Sequence, residues 1–260
     1  MNENVLWDLK ADRVNELAKQ DKRVDQRALD EYREIKITKD ISENAEGSAN
    51  VKLGKTEVVA GVKMILGTPY PDSPDKGTIS VGTELLPLAS EDFELGPPRP
   101  QAIELARVVD RGIRESKAID FKDLCITEGE QVWVCFIDMY VLNDDGNLFD
   151  ALGIAALTSL LESKIPKVED DKIVKGEFTG KLKLSRKPIL STFAKVGNKI
   201  FADPSLAEEK AQTARFSVST SEDNYMCAFQ KGISGGFSGN EIDHCIDLAF
   251  KSSKDIRKQL

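Results

Sequence analysis

The sequence predicts an α+β fold of two lobes, each with a mixed β-sheet packed against helices. Alternating apolar patterns come in hairpin-like groups with helical patterns after them, and each half of the chain runs through several strands to finish on a helix. That order favours mixed sheets over a doubly wound arrangement. It hints at an internal duplication, although no residue-level repeat accompanies it. A chain of 260 residues has ample core for two such lobes.

Leu6, Leu9, Val14 and Leu17 recur at helical spacing and predict a short amphipathic helix near Leu6–Lys19. From Tyr32 the pattern changes. Ile35, Ile37 and Ile41 stand among charges, and Ala49, Val51 and Leu53 then alternate up to a turn at Gly54-Lys55-Thr56. Val58, Ala60, Val62 and Met64 continue beyond it, which predicts a hairpin. Residues 67–77 are rich in proline, glycine and aspartate and read as a loop before a strand over Thr78–Leu86. After the break at Pro97-Pro98-Arg99-Pro100 comes a helix, Gln101–Lys117. Gln131–Leu142 is almost continuously apolar and reads as a strand buried on both faces. Asn143–Asn147 turns the chain into an alanine- and leucine-rich helix, Asp150–Ser163. Lys167–Lys175 reads as a charged linker, followed by strands at Phe178–Leu184, Ile189–Val196, Lys199–Ala202, Arg215–Thr220 and Tyr225–Lys231. A glycine-rich loop, Gly232–Gly239, precedes a final helix from Glu241 towards Lys258. The expected domains are a helical extension over 1–28, an N-terminal lobe over 29–166 and a C-terminal lobe over 176–258.

Apolar residues make up 40% and charged residues 31%, the composition of a soluble globule. No apolar run reaches the roughly 18 residues of a membrane span, and the first residues lack the pattern of a secretory signal. No membrane is expected, and the default compartment is intracellular. The four cysteines, Cys125, Cys135, Cys227 and Cys245, have no zinc-site spacing, and the single histidine, His244, cannot easily share a metal with its helical neighbour Cys245. The net charge of −8 is unusual for a stand-alone nucleic-acid binder, so any basic surface must be local or supplied by a partner.

Three groups of residues could carry chemistry. Arg107, Arg111 and Arg114 fall within about 60° of one another on one helical face, with Leu105, Val108, Val109, Gly112 and Ile113 opposite. By spacing alone this is either a solvated face, with ion pairs Glu104–Arg107 and Asp110–Arg114, or a track for backbone phosphates. Asp203, Glu208 and Glu209 could hold Mg²⁺ or act as acid and base; alternatively Asp203-Pro204 and Ser205…Glu208 cap a helix. The glycine-rich loop could cradle an anion, but it lacks the ending of a P-loop and reads equally as a connection.

Several segments add a resemblance. Arg23-Val24-Asp25-Gln26-Arg27 is followed by Gly47-Ser48-Ala49 and Gly54–Val58, then by Glu104–Arg107 with Arg111 and Arg114, and then by Gln131–Leu142, Asp145-Gly146 and the alanine-rich helix. In this order and spacing they resemble the RNase PH family of phosphate-dependent exoribonucleases over most of the chain. The resemblance implies the RNase PH-type fold, with an N-terminal lobe like domain 2 of ribosomal protein S5. It places the arginine helix beside an RNA path.

The departures from the pattern bear on activity. Active members carry Gly-Ser/Thr-Arg or an equivalent where inorganic phosphate binds; this chain has Gly146-Asn147-Leu148. Leucine has neither charge nor donor to offset the approach of two anions, a loss that commonly costs on the order of 10²–10³ in rate. Active members also place aspartates six residues apart, and here Asp203 is followed by Glu209. With the extension before Arg23 and the Tyr70–Lys76 loop, these departures resemble the non-catalytic branch of the family found in the archaeal exosome. That resemblance implies a six-membered ring of three heterodimers with a catalytic RNase PH-like paralogue, RNA-binding cap subunits on one face, and single-stranded RNA threading the channel in the cytoplasm. It implies that Arg107, Arg111 and Arg114 hold RNA backbone, with Lys117 extending the track, and that this chain supplies no catalytic residue, metal or cofactor. Two alternatives stand beside it: an intrinsically active phosphorolytic exoribonuclease in which another residue replaces the missing arginine, and a scaffold without RNA contact.

Overall fold

The structure, a computed structural model, describes residues 3–260. It has two main sheets sharing one central helix. Helix α1 (Glu3–Ala18) leads into β1 (Ile35–Lys39), β2 (Gly47–Leu53), β3 (Thr56–Gly67) and β4 (Thr78–Leu85). Then come α2 (Pro100–Glu115), a 3-10 turn (Phe121–Leu124), β5 (Cys125–Thr127), β6 (Gln131–Asn143) and α3 (Leu148–Glu162). The first sheet runs β1-β2-β3-β6-β4 with β5 beside β6; β4 pairs parallel to β6 and its other pairings are antiparallel. The expected hairpin forms, with Ala49, Val51 and Leu53 facing Ala60, Val58 and Thr56 across the ladder.

Helix α3 is apolar all round because it is buried all round: it packs on β2, β3, α2 and the second sheet. Its contact with β2 needs a glycine, since a Cβ at Gly47 would sit 2.2 Å from the Ser159 carbonyl oxygen. The hydroxyls of Thr158, Ser159 and Ser163 donate back to carbonyls three or four residues earlier, so none is buried unpaired.

The second sheet is antiparallel throughout, in the order β10 (Lys199–Ala202), β9 (Ile189–Val196), β11 (Ala214–Thr220), β12 (Met226–Gly232). Helix α5 (Gly239–Arg257) covers one face through Cys245 and Ala249, while α2 and α3 cover the other. The short α4 (Leu206–Ala211) packs on α1.

The structure corrects three expectations. Gln131–Leu142 is not buried on both faces: Trp133, Cys135, Ile137, Met139 and Val141 are buried, whereas Asp138 and Tyr140 are exposed, the alternation of a sheet with one covered face. The charged stretch Lys167–Lys175 is a ribbon, not a linker. There β7 (Lys164–Glu169) pairs with β8 (Lys172–Lys181), and Phe178 belongs to that ribbon instead of opening the second sheet. In α1, Leu6 and Leu9 are exposed, and Val14 and Ala18 make the buried contacts with Val196 and Phe201, because only the end of the helix reaches the sheet.

Candidate nucleic-acid interface

Helix α2 starts on Pro100, whose fixed φ suits a first turn, and turns Leu105, Val108, Val109, Gly112 and Ile113 into the core as the pattern predicts. Its outer face carries the arginines. Arg107 is exposed and has no ion-pair or hydrogen-bond partner among the described residues. Arg111 reaches the edge strand β12, its Nη1 donating to the Phe229 carbonyl (3.2 Å) and to Gln230 Oε1 (3.2 Å). Arg114 pairs with Asp110 at 2.8 Å and lies over the Phe121 ring. Of the two ion pairs that the spacing suggested, Asp110–Arg114 therefore forms and Glu104–Arg107 does not. Glu104 is taken by Arg215 of β11 and by Gln230 Nε2 (3.2 Å). Lys117 stands apart: α2 ends at Glu115, and Lys117 has a left-handed φ of 55°. Its side chain is exposed beyond the helix, and helical extrapolation from Arg114 does not give its direction.

The turn between β6 and α3 carries Gly146-Asn147-Leu148. Gly146 has φ 87°, and a Cβ there would meet the Leu206 amide nitrogen at 2.4 Å, so backbone from residues 204–206 closes over the turn. Asn147, left-handed and fully buried, caps α3 by accepting from the Asp150 amide. Its Nδ2 donates to Asp150 Oδ2 (2.8 Å) and Asp203 Oδ1 (2.7 Å). Its backbone amide donates to Glu209 Oε1 at 2.9 Å. Leu148 is buried in the core. Burial pushes the carboxyls of Glu209 and Asp150 up to about 7 each. Asp150 Oδ2 also accepts from Tyr32 Oη and the Thr192 amide, whereas its buried Oδ1 has no partner.

Two members of the acidic cluster, Asp203 and Glu208, are gripped by three arginines. Arg23 holds Glu208 with two bonds (2.8 and 2.6 Å) and donates to the carbonyls of Ala202 and Asp203. Arg27 reaches Asp203 Oδ2 at 2.9 Å. Arg33 grips both Asp203 oxygens (2.9 and 2.7 Å) and the carbonyls of Asp145 and Gly146, tying the turn to the second lobe. Burial alone would raise Asp203, but the hydrogen bonds and charge of Arg33 hold it below the usual carboxylate range. The capping reading of this segment is realised with Ser205 and Glu208 as the capping box; Asp203, at φ 47°, lies before the cap. No cluster of three or more potential metal-ligating side chains occurs among the described residues. The glycine-rich loop ends at Ser238, which forms a second capping box with Glu241, so a protein carboxylate already sits at the start of α5. The Lys195 hydrogen bond, with those at Ser238, holds Glu241 down to about 2.

Arg23 and Arg27 stand out in the sequence as a motif, without their partners, whereas Arg33, Arg215 and Gln230 do not stand out at all. All three lie on other elements than the groups they hold, so no local spacing marks them.

Residues 31–166 match domain 1 of the 3′ exoribonuclease family (RNase PH), and residues 187–252 match its domain 2. The exosome complex component Rrp42 of Thermococcus gammatolerans is 47% identical over 253 residues, covering 96% of this chain and 93% of that protein. The protein of the same description from Methanothermobacter thermautotrophicus is 43% identical over 250 residues, covering 95% and 92%. A chain of the Archaeoglobus fulgidus exosome with RNA bound to the active site superposes with a TM-score of 0.93 at 43% identity, over 98% of this chain and 99% of that one. Rice Rrp46 shares the fold, at 18% identity and a TM-score of 0.68 over 91% and 97% of the two chains.

Proposed function

The chain belongs to the 3′ exoribonuclease family of RNase PH, and from that membership we propose that it is the non-catalytic, RNA-gripping subunit of an archaeal exosome. It alternates with a catalytic RNase PH-like paralogue in a cytoplasmic ring of three heterodimers, beneath RNA-binding cap subunits. The observation that carries the non-catalytic part is the 2.9 Å bond from the Asn147 amide to Glu209. In a phosphorolytic site an amide at such a turn must be free for an incoming phosphate. Here the protein's own carboxylate takes it, backbone closes over it, and Leu148 puts an alkyl chain where a cation belongs.

The rival reading, an active exoribonuclease with a substitute cation, would draw on Arg33 or Arg215. Arg33 is engaged by Asp203, and Arg215, over the Phe149 ring at 4.2 Å, is engaged by Glu104. Both are also recessed, at 8% and 13% exposed against 37% for Arg114, so neither is open to phosphate.

Arg107, Arg111 and Arg114, with Lys117 beyond them, then hold RNA by its backbone, which suits a machine indifferent to sequence. An acidic chain can do this because Arg107, Arg111 and Arg114 make one face of α2 locally basic and the partner supplies the rest of the channel. The test is RNA binding by the ring reconstituted with its paralogue. Arg107→Ala with Arg111→Ala should weaken poly(A) binding on the order of tenfold and lower the log–log salt slope by about 1.4, two phosphate contacts at about 0.7 each for single strands. Unchanged affinity and slope would favour the scaffold without RNA contact.

A further inference from the structure

We propose that Arg215 is a positioning residue of this interface: it sequesters Glu104 and so keeps Arg107 available for a phosphate. The inference rests on the RNA-gripping reading above.

Glu104 and Arg107 lie three apart on one face of α2, a spacing at which carboxylate and guanidinium ordinarily pair. A free Glu104 would act twice against RNA, by capturing Arg107 and by placing a negative charge beside the phosphate path. In the structure it does neither, because Glu104 Oε1 receives Arg215 Nη2 and Gln230 Nε2 together. The same Gln230 side chain turns its Oε1 to Arg111, so one amide orients Glu104 and Arg111 at once.

Arg215 is built into this position. Its guanidinium lies 4.2 Å over the Phe149 ring at the first turn of α3. A Cβ at Gly232 of the neighbouring strand would fall 2.5 Å from its Nη2, so glycine there leaves the guanidinium its room. Its Nε is buried and has no hydrogen-bond partner among the described residues, so the guanidinium's one hydrogen bond runs from Nη2 to Glu104. Arg215 is 13% exposed and Glu104 34% exposed. The guard is thus recessed, while Arg107, which it leaves unpaired, is exposed.

The test uses the ring assembled with its paralogue and poly(A) as the probe, comparing Arg107→Ala, Arg215→Gln and the double variant Arg215→Gln/Glu104→Gln. Loss of the guard should weaken binding about threefold to fivefold and lower the salt slope towards that of Arg107→Ala, by about 0.7. Removing the released carboxylate as well should restore affinity to within about twofold of the parent. A double variant as weak as Arg215→Gln alone would overturn the inference and leave Arg215 a packing residue, while the RNA reading stands. If Arg107→Ala itself leaves affinity and slope unchanged, the RNA reading falls and the guard role with it.

Discussion

Replacing Arg33 with methionine probes the junction between the turn and the second lobe. Arg33 is 8% exposed and the Asp203 it grips is fully buried. The substitution keeps the apolar stem but removes the bonds to both carboxylate oxygens and to the carbonyls of Asp145 and Gly146. Breaking a buried pair by removing one partner costs about 3–5 kcal/mol, because the other charge is left uncompensated. Asp203 keeps Arg27 and Asn147, so the lower end, about 3 kcal/mol, is expected. At this chain length that corresponds to a fall in Tm of about 6–12 °C. Urea and thermal unfolding of the isolated chain measure it. Because much of the loss is the stranded charge, adding Asp203→Asn to Arg33→Met should recover at least about 1 kcal/mol. A single variant within about 1 kcal/mol of the parent, or a double variant destabilised by the sum of the two changes, would refute the reasoning.

The two raised carboxyls set a pH dependence of definite sign. Burial pushes the folded carboxyls of Asp150 and Glu209 up to about 7, against 3.8 and 4.5 for the free groups. The folded chain therefore holds protons that the unfolded chain has released. Their contribution is complete below about pH 4 and is lost as pH rises through 7. Asp150→Asn or Glu209→Gln should remove on the order of 2–3 kcal/mol of that decline, read from unfolding between pH 5 and 8, and an unchanged profile would count against the burial argument. Leu148→Arg should leave phosphorolysis by the isolated chain at background, since Glu209 still occupies the Asn147 amide; a gain of activity would mean that residue 148 was the only defect.

What the sequence made legible follows from the range of the interactions involved. The hairpin at Gly54-Lys55-Thr56 and the apolar side of α2 are written in periods of two and 3.6 residues, which a linear reading detects. The ribbon at Lys164–Lys181 escaped because its lysines and acids look like a solvated linker; its strands form by pairing with each other over little buried apolar surface. In the candidate site, the three arginines of α2 could be placed on one face from spacing. Whether they were free could not, because Glu104 is decided by Arg215, 111 residues away, and Asp203 by Arg33, 170 residues away. The departure at Leu148 was visible, whereas the carboxylate that closes the turn needed α4 to be brought against α3.

The most direct test of the whole account is phosphate-dependent release of nucleoside diphosphates from a short poly(A) RNA, by this chain alone and then mixed with its catalytic-type paralogue. The chain alone should be silent, and the mixture should outperform the paralogue by itself. Robust phosphate-dependent activity from the chain alone, in a preparation shown free of paralogue, would contradict it and make the chain an enzyme in its own right.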